Sequence, residues 1–129
     1  MKQTTKTDIN CIKKILRYIA LIAETYNKFD IKNFDDFEGD AVCQLAVTQA
    51  LTNIYEIQKK IQLETMEKLT LFKSLRYRLK VARNIASHDY ESVNFEILYK
   101  TTQSLLDEQN TKELETVVNV FERNNSNGK

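Results

Sequence analysis

Proline is absent from this 129-residue chain, and glycine occurs only at Gly39 and Gly128. Sheets joined by tight hairpins draw on both residues for their turns. Helices linked by short polar loops need far less, so the expectation is an all-α, up-and-down bundle of four or five helices. Apolar residues make up 42% of the chain and charged residues 29%, a balance that fits a globular protein with one core. The expected organisation is one helical domain over residues 1–122, followed by a disordered polar tail at 123–129.

Hydrophobic spacing divides the chain. Ile9, Ile12, Leu16, Ile19, Ala23 and Tyr26 recur at three- and four-residue steps, predicting a first helix from about Thr7 to Asn27, capped by Thr7 or Asp8. Ile15, Tyr18, Ile22 and Phe29 form a second stripe on it. A helix apolar on two sides needs two burial partners, and a second subunit is one candidate. The stretch 29–40, FDIKNFDDFEGD, reads as a solvated loop whose acids (Asp35, Asp36, Glu38, Asp40) lie near the positive start of the next helix. It lacks the spacing of a calcium loop. Further helices are predicted over about 40–62, 64–88 and 92–108. A last short one would open on an Asn110–Glu113 capping box.

Net charge is only +1, so any polyanion-binding surface must come from local segregation of charge. Such segregation occurs between Lys68 and Arg83, where there are six basic residues and no acid. Lys73, Arg76, Lys80 and Arg83 follow one another at steps of three, four and three, which places them on one helical face. A polyanion is the natural partner of that stripe, with Lys73, Arg76 and Lys80 as candidate RNA-binding residues. The alternative is a solvated face paired with acids from elsewhere.

The stripe ends at RNIASHDY, residues 83–90, which holds the only histidine, His88. Asn84 and His88 share a helical face, so Asn84 can fix the ring's tautomer. Arg83 and His88 lie about 140° apart around a helix of 3.6 residues per turn. They meet only if the helix ends before His88 or if a second subunit brings them together. RNA carries its own nucleophile in the 2′-hydroxyl. His88 can serve as base and Arg83 as the phosphate fork, and this chemistry needs no metal and no cofactor. The chain has no HExxH motif, no Cys/His cluster and no Gly-rich phosphate loop. Cys11 and Cys43 are expected to be reduced core residues. No apolar run approaches the roughly 18 residues of a membrane span, and the opening MKQTTKTD lacks a signal core, so a cytoplasmic protein is expected.

RNIASHDY matches R-N-x-x-x-H-x-Y, a form of the R-x4-6-H motif of HEPN domains. The chain resembles the HepT-like (DUF86) branch, the toxin half of HepT/MNT toxin–antitoxin modules, over about residues 8 to 120. Helix order, the acidic loop before Asp40-Ala41-Val42, and the motif's position at the end of the third helix carry the likeness. The resemblance implies a metal-independent endoribonuclease toxin of a type VII-like system, acting as a homodimer with Arg83 and His88 as the catalytic pair. It implies Asn84 as an auxiliary residue. It also implies an MNT-type nucleotidyltransferase antitoxin that attaches AMP to Tyr90. Two departures stand out: Tyr55-Glu56-Ile57 where the family often has Gly-Glu-Ala, and Val81-Ala82 where Gly-Met is commoner. The alternative function is a non-catalytic HEPN subunit that serves a nucleotidyltransferase.

Overall fold

The computed structural model describes residues 3–87 and 94–127. Eight helices are present among them, and no strand: α1 Lys6–Lys28, α2 Phe34–Glu38, α3 Ala41–Gln58, α4 Leu63–Met66, α5 Thr70–Lys73, α6 Arg76–Ser87, α7 Phe95–Leu106 and α8 Glu108–Asn127. The five long ones make the expected all-α bundle.

The start of α1 is a capping box. Thr5 accepts from the Asp8 amide at 3.1 Å, and the Asp8 carboxylate accepts from the Thr5 amide at 3.3 Å. The cap thus falls two residues before Thr7. Asp8 also fixes the chain beyond α3, accepting from the Gln62 amide (3.1 Å), the Gln62 side chain (2.8 Å) and the Thr65 hydroxyl. Most of both apolar stripes of α1 is buried within the chain. Ile9, Ile12, Ile19 and Tyr26 of one stripe and Ile15 and Ile22 of the other are buried, while α1 packs on α3, α7 and α8. Leu16, Tyr18 and Phe29 are half-buried and Ala23 is exposed.

The acidic stretch contains α2. Asn33 caps it by accepting from the Asp36 amide, and Asp35 and Asp36 lie in its first turn. Asp40 caps α3 through the Cys43 amide at 2.9 Å. Asp35, Asp36 and Asp40 therefore complement helix starts, whereas Glu38 ends α2, and the stretch expected to be a loop holds a short helix. Phe37 is fully buried and packs against Tyr26, Phe95 and Tyr99, fastening α2 to α1 and α7.

The continuous helix expected over 64–88 is instead three pieces. Met66, Leu69, Phe72 and Leu75 are all buried at steps of three residues. An α-helix rotates such a series off its face, whereas turns closed between residues three apart keep it aligned. The amides of Lys68, Leu69 and Leu75 do bond back to Thr65, Met66 and Phe72. α8 likewise begins earlier than expected. Asp107 accepts from the Gln109 amide at 2.9 Å, while Asn110 is buried and donates to the Leu105 carbonyl. Glu113 does not reach back to Asn110. It accepts from the Thr70 hydroxyl and the Leu71 amide, serving the start of α5 from across the bundle. The other end of α8 continues to Asn127, into the stretch expected to be tail.

Candidate nucleic-acid interface

α6 carries Arg76, Arg78, Lys80 and Arg83 and has no acidic residue. Two of its cations, Arg76 and Arg83, look across to the end of α3, against which it packs. Arg83 donates through Nε to Glu56 Oε1 at 3.2 Å, and Lys59 holds the other oxygen of Glu56 at 3.0 Å. These bonds, from Lys59 first and Arg83 second, hold the Glu56 carboxyl below the ordinary carboxylate range. Glu56 is therefore ionised wherever RNA chemistry at neutral pH takes place. Two turns earlier on α6, Arg76 donates to Gln58 Oε1 at 2.9 Å. Two side chains of α3 thus fix the direction of two arginines.

The basic stripe is only partly the open face that its spacing implied. Lys73 lies on α5, beyond the break at Ser74–Leu75, and pairs with Glu67 at 2.7 Å. Arg76 and Arg83 are half-buried on the α3 side, and Lys80 is exposed. The pairing with acids from elsewhere therefore holds for Lys73 and Arg83. Asn84 is exposed on α6 next to Arg83. His88 and Tyr90 lie outside the described residues. The structure thus brings Arg83 together with Glu56 and Lys59. It does not report on the Arg83–His88 pair.

Glu56 and Lys59 were not legible as partners of Arg83 from spacing. Glu56 precedes it by 27 positions, and only the packing of α3 on α6 joins them. Tyr77 was also missed. It is an aromatic side chain with 76% of its surface exposed in the middle of the basic run. Among the described residues, no group of three or more His, Cys, Asp or Glu side chains is placed to hold a metal. No helix among them is long and apolar enough to cross a membrane.

An all-helical HEPN-like bundle with a cationic helix packed on α3 and α7 is the class of protein these features define. The Ribonuclease HepT-like family model matches residues 10–119, and the chain belongs to that family. No curated protein and no solved structure matches it. Membership supports a ribonuclease-type activity at the level of the family.

Proposed function

We propose that this protein is a metal-independent endoribonuclease of the toxin type, cleaving RNA by 2′-hydroxyl attack. The observation that carries the reading is Arg83, its guanidinium oriented by Glu56 on a helix that bears cations and no acid. An oriented guanidinium is the natural fork for a phosphate whose charge grows as the reaction proceeds. His88, five residues on, takes the proton of the 2′-hydroxyl. The 2′-oxygen bonds to phosphorus as the bond from phosphorus to the 5′-oxygen breaks. A 2′,3′-cyclic phosphate forms, and the departing 5′-oxygen takes up a proton. Asn84 orients the His88 ring, and Lys73, Arg76 and Lys80 hold flanking phosphates. A homodimer brings Arg83 and His88 of two subunits to one cleft, since a single helix would point them apart. An MNT-type nucleotidyltransferase silences the enzyme by placing AMP on Tyr90, where the added anion competes with RNA for Arg83.

The test is cleavage of RNA by purified protein in the presence of a chelator. Wild type should leave 2′,3′-cyclic ends. His88→Ala should lose roughly 10²–10⁴-fold in rate, the usual worth of a general base. Arg83→Ala should lose on the order of 10²–10³-fold. Intact RNA with wild type, or undiminished cleavage by His88→Ala, sinks the nuclease reading and leaves the non-catalytic partner subunit. For the modification, intact mass after incubation with an MNT-type nucleotidyltransferase and ATP should rise by one AMP. An adduct that persists in Tyr90→Phe would rule out that residue.

A further inference from the structure

We propose that the groove between α6 and α7, lined by Tyr77, Arg78, Val81, Ile97 and Lys100, is a subsite that stacks a base of single-stranded RNA on Tyr77. This rests on the RNA-cleaving function proposed above and adds to it where the strand lies. The groove encloses about 290 Å³. That is just under the ~300 Å³ at which pockets for drug-sized ligands begin, and it suits one planar group better than a larger molecule.

Three features point to a nucleotide. First, Tyr77 is 76% exposed, the most exposed of the large apolar and aromatic side chains among the described residues. A lone exposed aromatic is ordinary. This one stands beside two cations contributed by different helices, Arg78 of α6 and Lys100 of α7. An aromatic face flanked by positive charge is how proteins hold single strands, the base stacking and the phosphates pairing. Second, no acid is among the described residues that line the groove. Glu96 pairs with Lys100 at 2.8 Å in an exposed i,i+4 contact. Such pairs are weakly held and yield to a phosphate. Arg78 is tied to α7 by a long bond to the Ser104 hydroxyl, 3.4 Å. Third, the groove lies on the helix that carries the proposed cleavage site. Tyr77 and Asn84 are seven residues apart on α6, so they share a face at about 10 Å along the axis. Arg83 adjoins Asn84 but turns toward Glu56 of α3. A strand whose scissile phosphate meets Arg83 would cross α6 past Asn84 to reach Tyr77.

The subsite also accounts for a property of the segment that the stripe does not. Lys73 and Arg83 are already paired with acids, and Arg76 is bonded to Gln58. The α3 side of α6 is thus largely occupied by its own chain, whereas the α7 side offers an open ring and two exposed cations.

The test is fluorescence anisotropy with a 2′-O-methyl single-stranded RNA oligonucleotide, which has no free 2′-hydroxyl to attack, and with its abasic counterpart. Tyr77→Ala should weaken binding of the intact oligonucleotide about tenfold, within the range for one stacked base. Tyr77→Phe keeps the ring and should stay within about twofold of wild type. On the abasic oligonucleotide, wild type and Tyr77→Ala should bind alike. Exposure of Tyr77 means the substitution leaves folding intact, which a thermal melt confirms. Wild-type affinity in Tyr77→Ala overturns the subsite, as does an equal loss on the abasic strand. A fall in sedimentation coefficient for Tyr77→Ala overturns it in favour of a contact between protein copies. A wild type that binds no RNA overturns it outright. Cleavage of unmodified RNA is scored separately. Cleavage with an unaffected Tyr77→Ala rejects the subsite alone, and Tyr77-dependent binding without cleavage rejects the nuclease alone.

Discussion

Asp8→Asn should destabilise the fold by about 3 kcal/mol at neutral pH, on the worth of hydrogen bonds to a charged acceptor. Asp8 is 1% exposed, and its carboxylate accepts from the Thr5 amide, the Gln62 amide, the Gln62 side chain and the Thr65 hydroxyl. Asparagine keeps the shape but turns one acceptor oxygen into a donor, which then faces other donors. The Thr5 amide and the Gln62 side chain can turn to water. The fully buried Thr65 hydroxyl cannot, and it exchanges a charged acceptor for the neutral Thr4 hydroxyl at 3.1 Å, a loss of roughly 1–3 kcal/mol. Weakening the capping box adds about 1 kcal/mol. For a chain of this size the sum lowers the melting temperature by roughly 10 °C.

The pH dependence supplies a second check. Burial opposes the charge on Asp8, but the bonds from Gln62, Thr65 and Thr5 outweigh it and hold the carboxyl below its ordinary 3.8. A depressed carboxylate contributes stability above its unfolded pKa and loses it as pH falls through the folded value. The gap between wild type and Asp8→Asn should therefore be constant down to pH 4 or so and narrow below it. Urea denaturation of both proteins across that range measures it. A gap under about 1 kcal/mol at neutral pH, or one that fails to narrow in acid, refutes the reasoning.

Phe37→Ala should cost about 3–5 kcal/mol in urea denaturation, because it empties the centre of the aromatic cluster that holds α2. Glu56→Ala should leave the melting temperature nearly unchanged, because its ion pairs are exposed. It should raise RNA affinity at low salt by removing a negative charge beside Arg83, and a lower affinity in a salt titration would contradict this. Cys11 and Cys43 should resist a thiol-reactive disulfide reagent in the folded protein at mildly alkaline pH and react on unfolding. Burial pushes both thiols up, Cys43 to about 11, and rapid labelling of the native state would count against the packing described.

The helix count was legible where periodicity was strong. α1 and α3 follow runs of apolar residues at three- and four-residue steps, and the absence of proline leaves nothing to interrupt them. Breaks inside the third run were present in the sequence as Met66, Leu69, Phe72 and Leu75. Three-residue spacing reads as helix until a core demands that every member be buried. Capping was harder. Asn110 and Glu113 had the spacing of a capping box, but a buried amide and a carboxylate claimed by Thr70 and Leu71 used them differently. Local pattern does not record which distant donors lie within reach.

The same division runs through the candidate site. Local sequence alone determined the segregation of charge onto residues 68–83 and the position of Arg83 at its end, because charge and helical period are properties of neighbours. The tertiary structure decided which of those cations are already engaged. Glu56 meets Arg83, Gln58 meets Arg76 and Glu113 reaches α5 because α3 and α8 pack where they do. It also decided that Tyr77 faces solvent while Leu75 and Leu79, two residues to either side, are buried. A hydrophobic pattern specifies which face turns inward. Which aromatic is left outside beside a cation of another helix depends on how two helices are set against each other, and that is fixed only when the core closes.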